Sequence, residues 1–103
     1  IARQFGYDME RTCDSIRPDY EFDVTCPGSC PEAIIAFLDS TDFEDAIRLA
    51  VSLGGDSDTI GAMTGGIAAA YYGIPDKIAC KALEYLPEDI IEVLNKFRDA
   101  VNR

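Results

Sequence analysis

The sequence predicts an all-α fold, a compact helical bundle around a central helix of small residues. Apolar residues recur at helical spacing along most of the 103 residues. Hydrophobic residues make up 48% of the chain, which is typical of a globular core. One stretch, "YEFDV", alternates as a strand would, but no comparable stretch exists to pair with it. We therefore expect roughly six helices in a single domain spanning residues 1–103.

The first half of the chain carries helical patterns on both sides of one loop. The opening "IARQFGYD" is typical of a helix already under way. Prolines and a glycine near both ends of residues 18–29 predict an ordered loop there. "CPEAIIAFLDS" predicts a helix with Pro31 at its first position. In "STDFEDAIRLAVSL", Thr41 stands three residues before Glu44, a spacing that predicts a capping box at the start of the next helix.

The second half begins with an unusual helix, predicted from Thr59 to about Tyr72 and made mostly of glycine and alanine. Each interior glycine costs about 1 kcal/mol relative to alanine, so close approach of neighbouring backbones should compensate. We expect this helix to be surrounded on several sides, with its N-terminus deep in the fold or at the floor of a cleft. Two more helices follow, in "PDKIACKALEYL" and in "PEDIIEVLNKFRDAVNR". The last one aligns Ile90, Leu94, Phe97 and Val101 on one stripe.

Composition excludes several classes of function. The net charge is −10, whereas phosphate recognition and docking on anionic membranes need basic surfaces. No apolar run approaches a membrane span, and we expect a cytoplasmic protein. The chain has four irregularly spaced cysteines and no histidine, a pattern that does not predict a zinc site. Buried thiols in a reducing compartment are the expected state, with a disulfide at Cys26 or Cys80 as the alternative.

The stretch "LGGDSDTIGAMTGG" crowds oxygen ligands directly before the small-residue helix. Asp56 or Asp58 could simply cap that helix, with Thr59 in its first turn. A cap needs only one short acceptor, however, and here three oxygen-bearing side chains occupy four positions. Gly54 and Gly55 let the backbone upstream turn sharply. Such a cluster suits Mg²⁺, Mn²⁺ or Ca²⁺, which take oxygen shells.

Known D-x-D motifs fit this stretch poorly. An EF-hand loop starting at Asp56 would place apolar Ile60 and Ile67 where oxygen ligands are required. Phosphatases of the haloacid-dehalogenase type place D-x-D after a buried strand, and here a helical stretch precedes it. Three protein ligands leave an octahedral shell incomplete, and the chain shows no second ligand cluster, since capping accounts for "STDFED". The sequence therefore predicts part of a metal site.

The segment "GGDSDTIGAMTGGIAAAYYGIP" resembles the ADP-ribosylglycohydrolases, hydrolases of the dinitrogenase-reductase-activating type. Support comes from residues 26–53 and, more weakly, from residues 6–25. The resemblance implies an all-α fold around a two-metal centre of Mg²⁺ or Mn²⁺, which hydrolyses ADP-ribosyl bonds. It also implies that Asp56, Asp58 and Thr59 are metal ligands, and that Gly55 and Ser57 line the ribose pocket. No catalytic residue beyond the metal ligands is assigned.

The chain departs from the family pattern in one respect. The family's other ligand cluster, a threonine followed by two aspartates near the N-terminus of a longer protein, is absent. We therefore expect a C-terminal fragment that is inactive alone, whose parent enzyme acts on an ADP-ribosylated protein or a small ADP-ribose derivative. Self-association or a separate N-terminal fragment would complete the fold. The alternative is a helical module that binds metal or ADP-ribose without cleaving anything.

Overall fold

The computed structural model describes residues 2–102 and confirms the all-α class. Within that range it contains seven helices and no strand. None of them combines the length and the apolar content needed to cross a bilayer. Their bounds are α1 (Ala2–Phe5), α2 (Cys13–Ile16), α3 (Cys26–Leu38), α4 (Phe43–Ser52), α5 (Ser57–Tyr72), α6 (Asp76–Leu83) and α7 (Glu88–Val101).

The described helices fall into two compact units, residues 2–73 with α1–α5 and residues 74–102 with α6 and α7. In the first unit, α5 packs against both α3 and α4, and α2 packs against α3. The core between them is one apolar cluster: Cys13, Ile16, Ala33, Ile35, Ala36, Ala50, Leu53 and Ile60. The assignment of residues 1–103 to one domain stays a prediction.

Helix α3 begins earlier than the sequence suggested, so the placement of Pro31 at its first position was wrong. The helix starts at Cys26, and the Thr25 hydroxyl caps it by accepting a hydrogen bond from the backbone N–H of Gly28. Pro27 occupies the first turn, where a missing N–H costs nothing because no intrahelical acceptor exists there. Pro31 lies inside the helix and is buried. The predicted loop accordingly ends at Thr25.

The cap of α4 lies one residue later than predicted. Asp42, rather than Thr41, is the N-cap, and its carboxylate accepts a hydrogen bond of 2.7 Å from the backbone N–H of Asp45. The carboxylate of Asp45 reaches back to the backbone N–H of Thr41, at 2.9 Å. The predicted capping box is therefore not formed, because the Asp45 carboxylate accepts from the residue before the N-cap and not from the N-cap Asp42 itself.

Helix α5 is central to its unit but is not surrounded, contrary to the expectation from its composition. Its buried residues are Ile60, Thr64 and Ala68, which repeat every four positions along one face. A side chain at Gly65 would approach Ile47 of α4 to 3.1 Å, whereas Gly61 and Gly66 face open space. Close packing thus accounts for one interior glycine of three. The Thr64 hydroxyl donates to the buried carbonyl of Ala33 at 2.9 Å and joins α5 to α3.

The far end of α5 carries an aromatic cluster, formed by Phe37 of α3 with Tyr71 and Tyr72. The two tyrosine rings meet edge to face with centroids 5.0 Å apart, and Phe37 lies 5.5 Å from Tyr71. The Tyr72 hydroxyl donates to the carbonyl of Ser40 at 3.0 Å. Gly73 follows with φ of 77°, a left-handed conformation that ends the helix and suits glycine.

The second unit consists of two amphipathic helices with no buried residue. Pro87 occupies the N-cap position of α7, and Glu88 and Asp89 lie in its first turn, where they favour the helix dipole. The predicted apolar stripe exists along this helix. All four of its members are exposed: Ile90, Leu94, Phe97 and Val101.

All four cysteines are free thiols in the described structure, as expected, but they are not all buried. Cys26 and Cys80 are exposed, and Cys30 is half-buried. Cys13 is buried, and its backbone N–H donates to the Asp39 carboxylate at 2.8 Å. Burial first, and the nearby Asp39 carboxylate second, raise the pKa of the Cys13 thiol to about 12.

This raised pKa predicts a loss of stability at high pH. The folded state keeps its proton on Cys13 where the unfolded state releases it, so the stabilisation is complete below the ordinary thiol pKa of 9.0 and is lost as pH rises towards about 12. The expected slope is at most about 1.4 kcal/mol per pH unit. Urea unfolding across this window should show a flatter slope for Cys13→Ala, and identical slopes would contradict the prediction.

Candidate functional site

The predicted ligands lie in the connection between α4 and α5 and in the first turn of α5. Gly54 adopts φ of 98°, a left-handed conformation that reverses the chain after α4. Gly55 and Asp56 follow, and α5 begins at Ser57. Asp58 and Thr59 therefore belong to the first turn of a 16-residue helix. The chain folds this way because Gly54 permits the turn and a run of helix-compatible residues follows it.

Asp56 occupies the N-cap position of α5, yet its side chain makes no capping hydrogen bond. Its backbone has φ of −79° and ψ of 75°, outside the extended geometry of the caps of α3 and α4. The Ser57 hydroxyl donates to the carbonyl of Gly54 at 3.0 Å and closes the turn instead. The capping interpretation of Asp56 therefore lacks its defining contact.

Asp58 lies beside Asp56 on the exposed side of this first turn. A hydrogen bond with the Asp56 side chain, and then one from the backbone N–H of Thr59, hold the pKa of Asp58 below its ordinary value. The Thr59 N–H lies 2.9 Å from Asp58 Oδ1. The side chains of Asp56 and Asp58 are thus neighbours at the N-terminus of one helix.

The donor set fits part of a divalent-cation shell. Two carboxylates and the exposed Thr59 hydroxyl are hard oxygen donors of the kind that Mg²⁺ and Mn²⁺ prefer. Across residues 2–102, no group of three or more histidine, cysteine, aspartate or glutamate side chains is placed to hold a metal. The structure therefore brings Asp56 and Asp58 together, and it adds no third acidic residue.

Gly55 and Ser57, the residues predicted to line a ribose pocket, are both half-buried. The Ser57 N–H donates to the Gly55 carbonyl at 2.9 Å, and its hydroxyl is used within the turn. Gly55 is covered by the ring of Tyr20, so that a Cβ atom at this position would overlap Tyr20 Cε2. The backbone here is held in a tight turn by these hydrogen bonds.

Three residues near this loop were not identified from the sequence. Tyr20 packs on Gly55, and burial, followed by the charges of Glu32, Asp23 and Asp56, raises its pKa. Arg11 forms an ion pair of 2.9 Å with Glu32, whose side chain is 6% exposed. These contacts join segments far apart in the chain, so no local spacing signals them. The alternating stretch that begins at Tyr20 was the one available hint.

Comparison with known families agrees with the sequence resemblance. A family model described as ADP-ribosylglycohydrolase matches residues 2–103. That family is helical, generally metal-dependent, and acts on ADP-ribosylated substrates. No solved structure matches the chain.

Proposed function

The chain belongs to the ADP-ribosylglycohydrolase family, and from this premise we propose that Asp56, Asp58 and Thr59 form one side of a two-metal centre that hydrolyses ADP-ribosyl bonds. The observation that carries the proposal is the Asp56 carboxylate, which stands at a helix N-cap without capping it. Its neighbour Asp58 presents a second carboxylate at the same point. Neither group is needed for the helix start in the way that Asp42 is needed for α4.

The roles of the individual residues follow from their oxygens. Asp56 and Asp58 would hold Mg²⁺ or Mn²⁺ through carboxylates, and Thr59 through a neutral hydroxyl. A bound divalent cation supplies Lewis-acid polarisation and lowers the pKa of a coordinated water. The backbone at Gly55 and Ser57 would line the ribose pocket. Water, substrate or residues outside this cluster complete the shell.

The proposed substrate is an ADP-ribosylated protein or a small ADP-ribose derivative in the cytoplasm. The net charge of −10 disfavours nucleic acid as a partner. A divalent cation between the protein carboxylates and the substrate would offset their repulsion of the diphosphate. Further ligands would come from an N-terminal segment or a second copy, because the described residues supply only two clustered carboxylates.

A second candidate function is a non-catalytic module that binds a metal ion or ADP-ribose. The incomplete ligand set favours it, since two carboxylates and one hydroxyl can bind a cation weakly without organising a reaction. The two functions differ in turnover. ADP-ribosyl-arginine is a convenient substrate, and we expect little or no hydrolysis by the 103-residue chain alone. Clear turnover would refute the requirement for further ligands and would exclude the binding module.

Titration with Mn²⁺ by calorimetry tests the metal site directly. We expect micromolar binding by the unmodified chain and loss of detectable heat in Asp56→Ala/Asp58→Ala. The matched control is Glu88→Ala/Asp89→Ala, which removes two acids from the first turn of α7. Asp89 repeats the local geometry of Asp58, with its Oδ1 accepting from the next N–H at 3.0 Å. No binding by the unmodified chain, or equal loss in both variants, would refute the proposed site.

A further inference from the structure

The ring of Tyr20 contacts the loop of proposed metal ligands (residues 54–59) at Gly55. A Cβ atom built on Gly55 would overlap Cε2 of the tyrosine ring and would lie 3.0 Å from both Cδ2 and Cζ. The φ angle of Gly55 is not in the left-handed region, so its backbone conformation does not require glycine. The absence of a side chain here is explained by the ring, which lies directly on the backbone next to Asp56.

The ring of Tyr20 is held in place from two sides. Its hydroxyl donates a hydrogen bond to the carbonyl of Gly28 in the first turn of α3. Its partly buried ring packs against the hydrophobic core cluster of the first unit. A tyrosine anchored at both its ring and its hydroxyl has little rotamer freedom left, so it can act as a fixed surface for the loop.

Acidic groups lie near the Tyr20 hydroxyl. Burial first, and then the charges of Glu32, Asp23 and Asp56, raise the pKa of Tyr20, and the charge of Arg11 opposes them. Glu32 is buried and pairs with Arg11 through one oxygen, while its other oxygen has no partner among the described residues. The charges of the buried ion pair and of Asp56 therefore both act on the Tyr20 hydroxyl.

We infer that Tyr20 is a positioning residue of the metal centre, because its anchored ring fixes the backbone of Gly55 and so the direction of the adjacent Asp56 carboxylate. The inference rests on the proposed function for its metal. Without the ring, the pair Gly54 and Gly55 would leave the loop free to sample other turns, since glycine has the widest choice of conformations. The ligand geometry would then have to be ordered by the metal itself, at a cost in affinity.

Four variants measure this role by Mn²⁺ affinity. Tyr20→Phe keeps the ring but loses its hydrogen bond to Gly28, and it should bind about twofold more weakly than the unmodified chain. Tyr20→Val and Gly55→Ala should each bind about tenfold more weakly, the usual effect of losing a supporting contact. The combination Tyr20→Val/Gly55→Ala should bind no more weakly than Gly55→Ala, because the new methyl group then meets no ring. A general loss of structure would instead make the double variant worse than either single one, and this outcome would overturn the inference.

Amide hydrogen exchange of residues 54–59 in metal-free protein gives a second readout that does not depend on metal binding. Exchange should accelerate in Tyr20→Val, and to a smaller extent in Tyr20→Phe, which keeps the ring but loses its hydrogen bond to Gly28. Tyr85→Val is the control, because Tyr85 is 77% exposed in the other unit. If the unmodified chain bound no Mn²⁺, the metal proposal would fail. Faster exchange in Tyr20→Val would still show that Tyr20 restrains the loop. Unchanged exchange in Tyr20→Val would refute the claim that Tyr20 restrains the loop, whatever the result for metal binding.

Discussion

Ile60→Ala should reduce the free energy of unfolding by about 3 kcal/mol, the usual cost of removing a large aliphatic side chain from a packed core. Ile60 is 0% exposed and belongs to the core cluster with Ile35 and Leu53. It lies directly after Thr59, so the cavity would form beneath the first turn that carries the proposed ligands. Small domains are stabilised by about 5–15 kcal/mol in total, so the loss is a large fraction.

Urea unfolding followed by far-UV circular dichroism measures this loss. The matched control is Ile67→Ala, the same substitution in the same helix at a residue that is 37% exposed. It should cost less than about 1 kcal/mol, because much of the side chain already meets water and little cavity forms. Equal losses in the two variants would show that Ile60 is not the anchor of the α5 N-terminus.

Arg11→Met should cost about 3 kcal/mol, because it leaves the Glu32 carboxylate buried without its cationic partner. One carboxylate oxygen of Glu32 has no partner even now, so Arg11 supplies the principal compensation for burial. Methionine keeps most of the length of the side chain, so the loss reports the ion pair together with the hydrogen bond that Arg11 Nε donates to the Asp8 carbonyl at 3.1 Å. Removing both charges in Arg11→Met/Glu32→Leu should recover much of the stability, because no unpaired buried charge remains.

The control for this charge effect is Arg48→Met. Arg48 pairs with Glu44 one turn away on α4 at 3.3 Å, but both side chains are mostly exposed. Surface pairs of this kind contribute about 0.2–1 kcal/mol, and the substitution should change the unfolding midpoint little. If Arg11→Met cost no more than Arg48→Met, or if the double variant were the least stable, the buried pair would not have the role assigned to it.

The sequence predicted the helices better than their boundaries. Apolar residues at helical spacing located α4 and α7, a proline followed by an apolar run indicated α3, and the run of glycine and alanine indicated α5. The start of α3 was missed because both Pro27 and Pro31 are compatible with a first helical turn. The cap formed by Thr25 fixes the start at Cys26. The α4 cap shifted by one residue because neighbouring Thr41 and Asp42 both offer an acceptor.

The candidate site was predictable only where its residues are adjacent in sequence. Asp56, Asp58 and Thr59 were identified because their oxygens crowd into four positions. Tyr20 and the Arg11–Glu32 pair belong to segments that meet only because α2 packs against α3. No local sequence pattern predicts that packing. The exposure of one side of α5 was likewise missed, since glycine and alanine are compatible with both close packing and open surface.

The aromatic cluster at the C-terminal end of α5 has a spectroscopic consequence. The chain contains no tryptophan, so its near-ultraviolet circular dichroism arises mainly from tyrosine and phenylalanine. Tyr71 and Tyr72, with ring centroids 5.0 Å apart, should dominate that signal by coupling to each other. They lie about 20 Å along the helix from the proposed metal ligands. The tyrosine bands would thus monitor the C-terminal end of α5, and Mn²⁺ binding its N-terminal end. If both signals were lost at the same urea concentration, α5 would unfold cooperatively along its whole length.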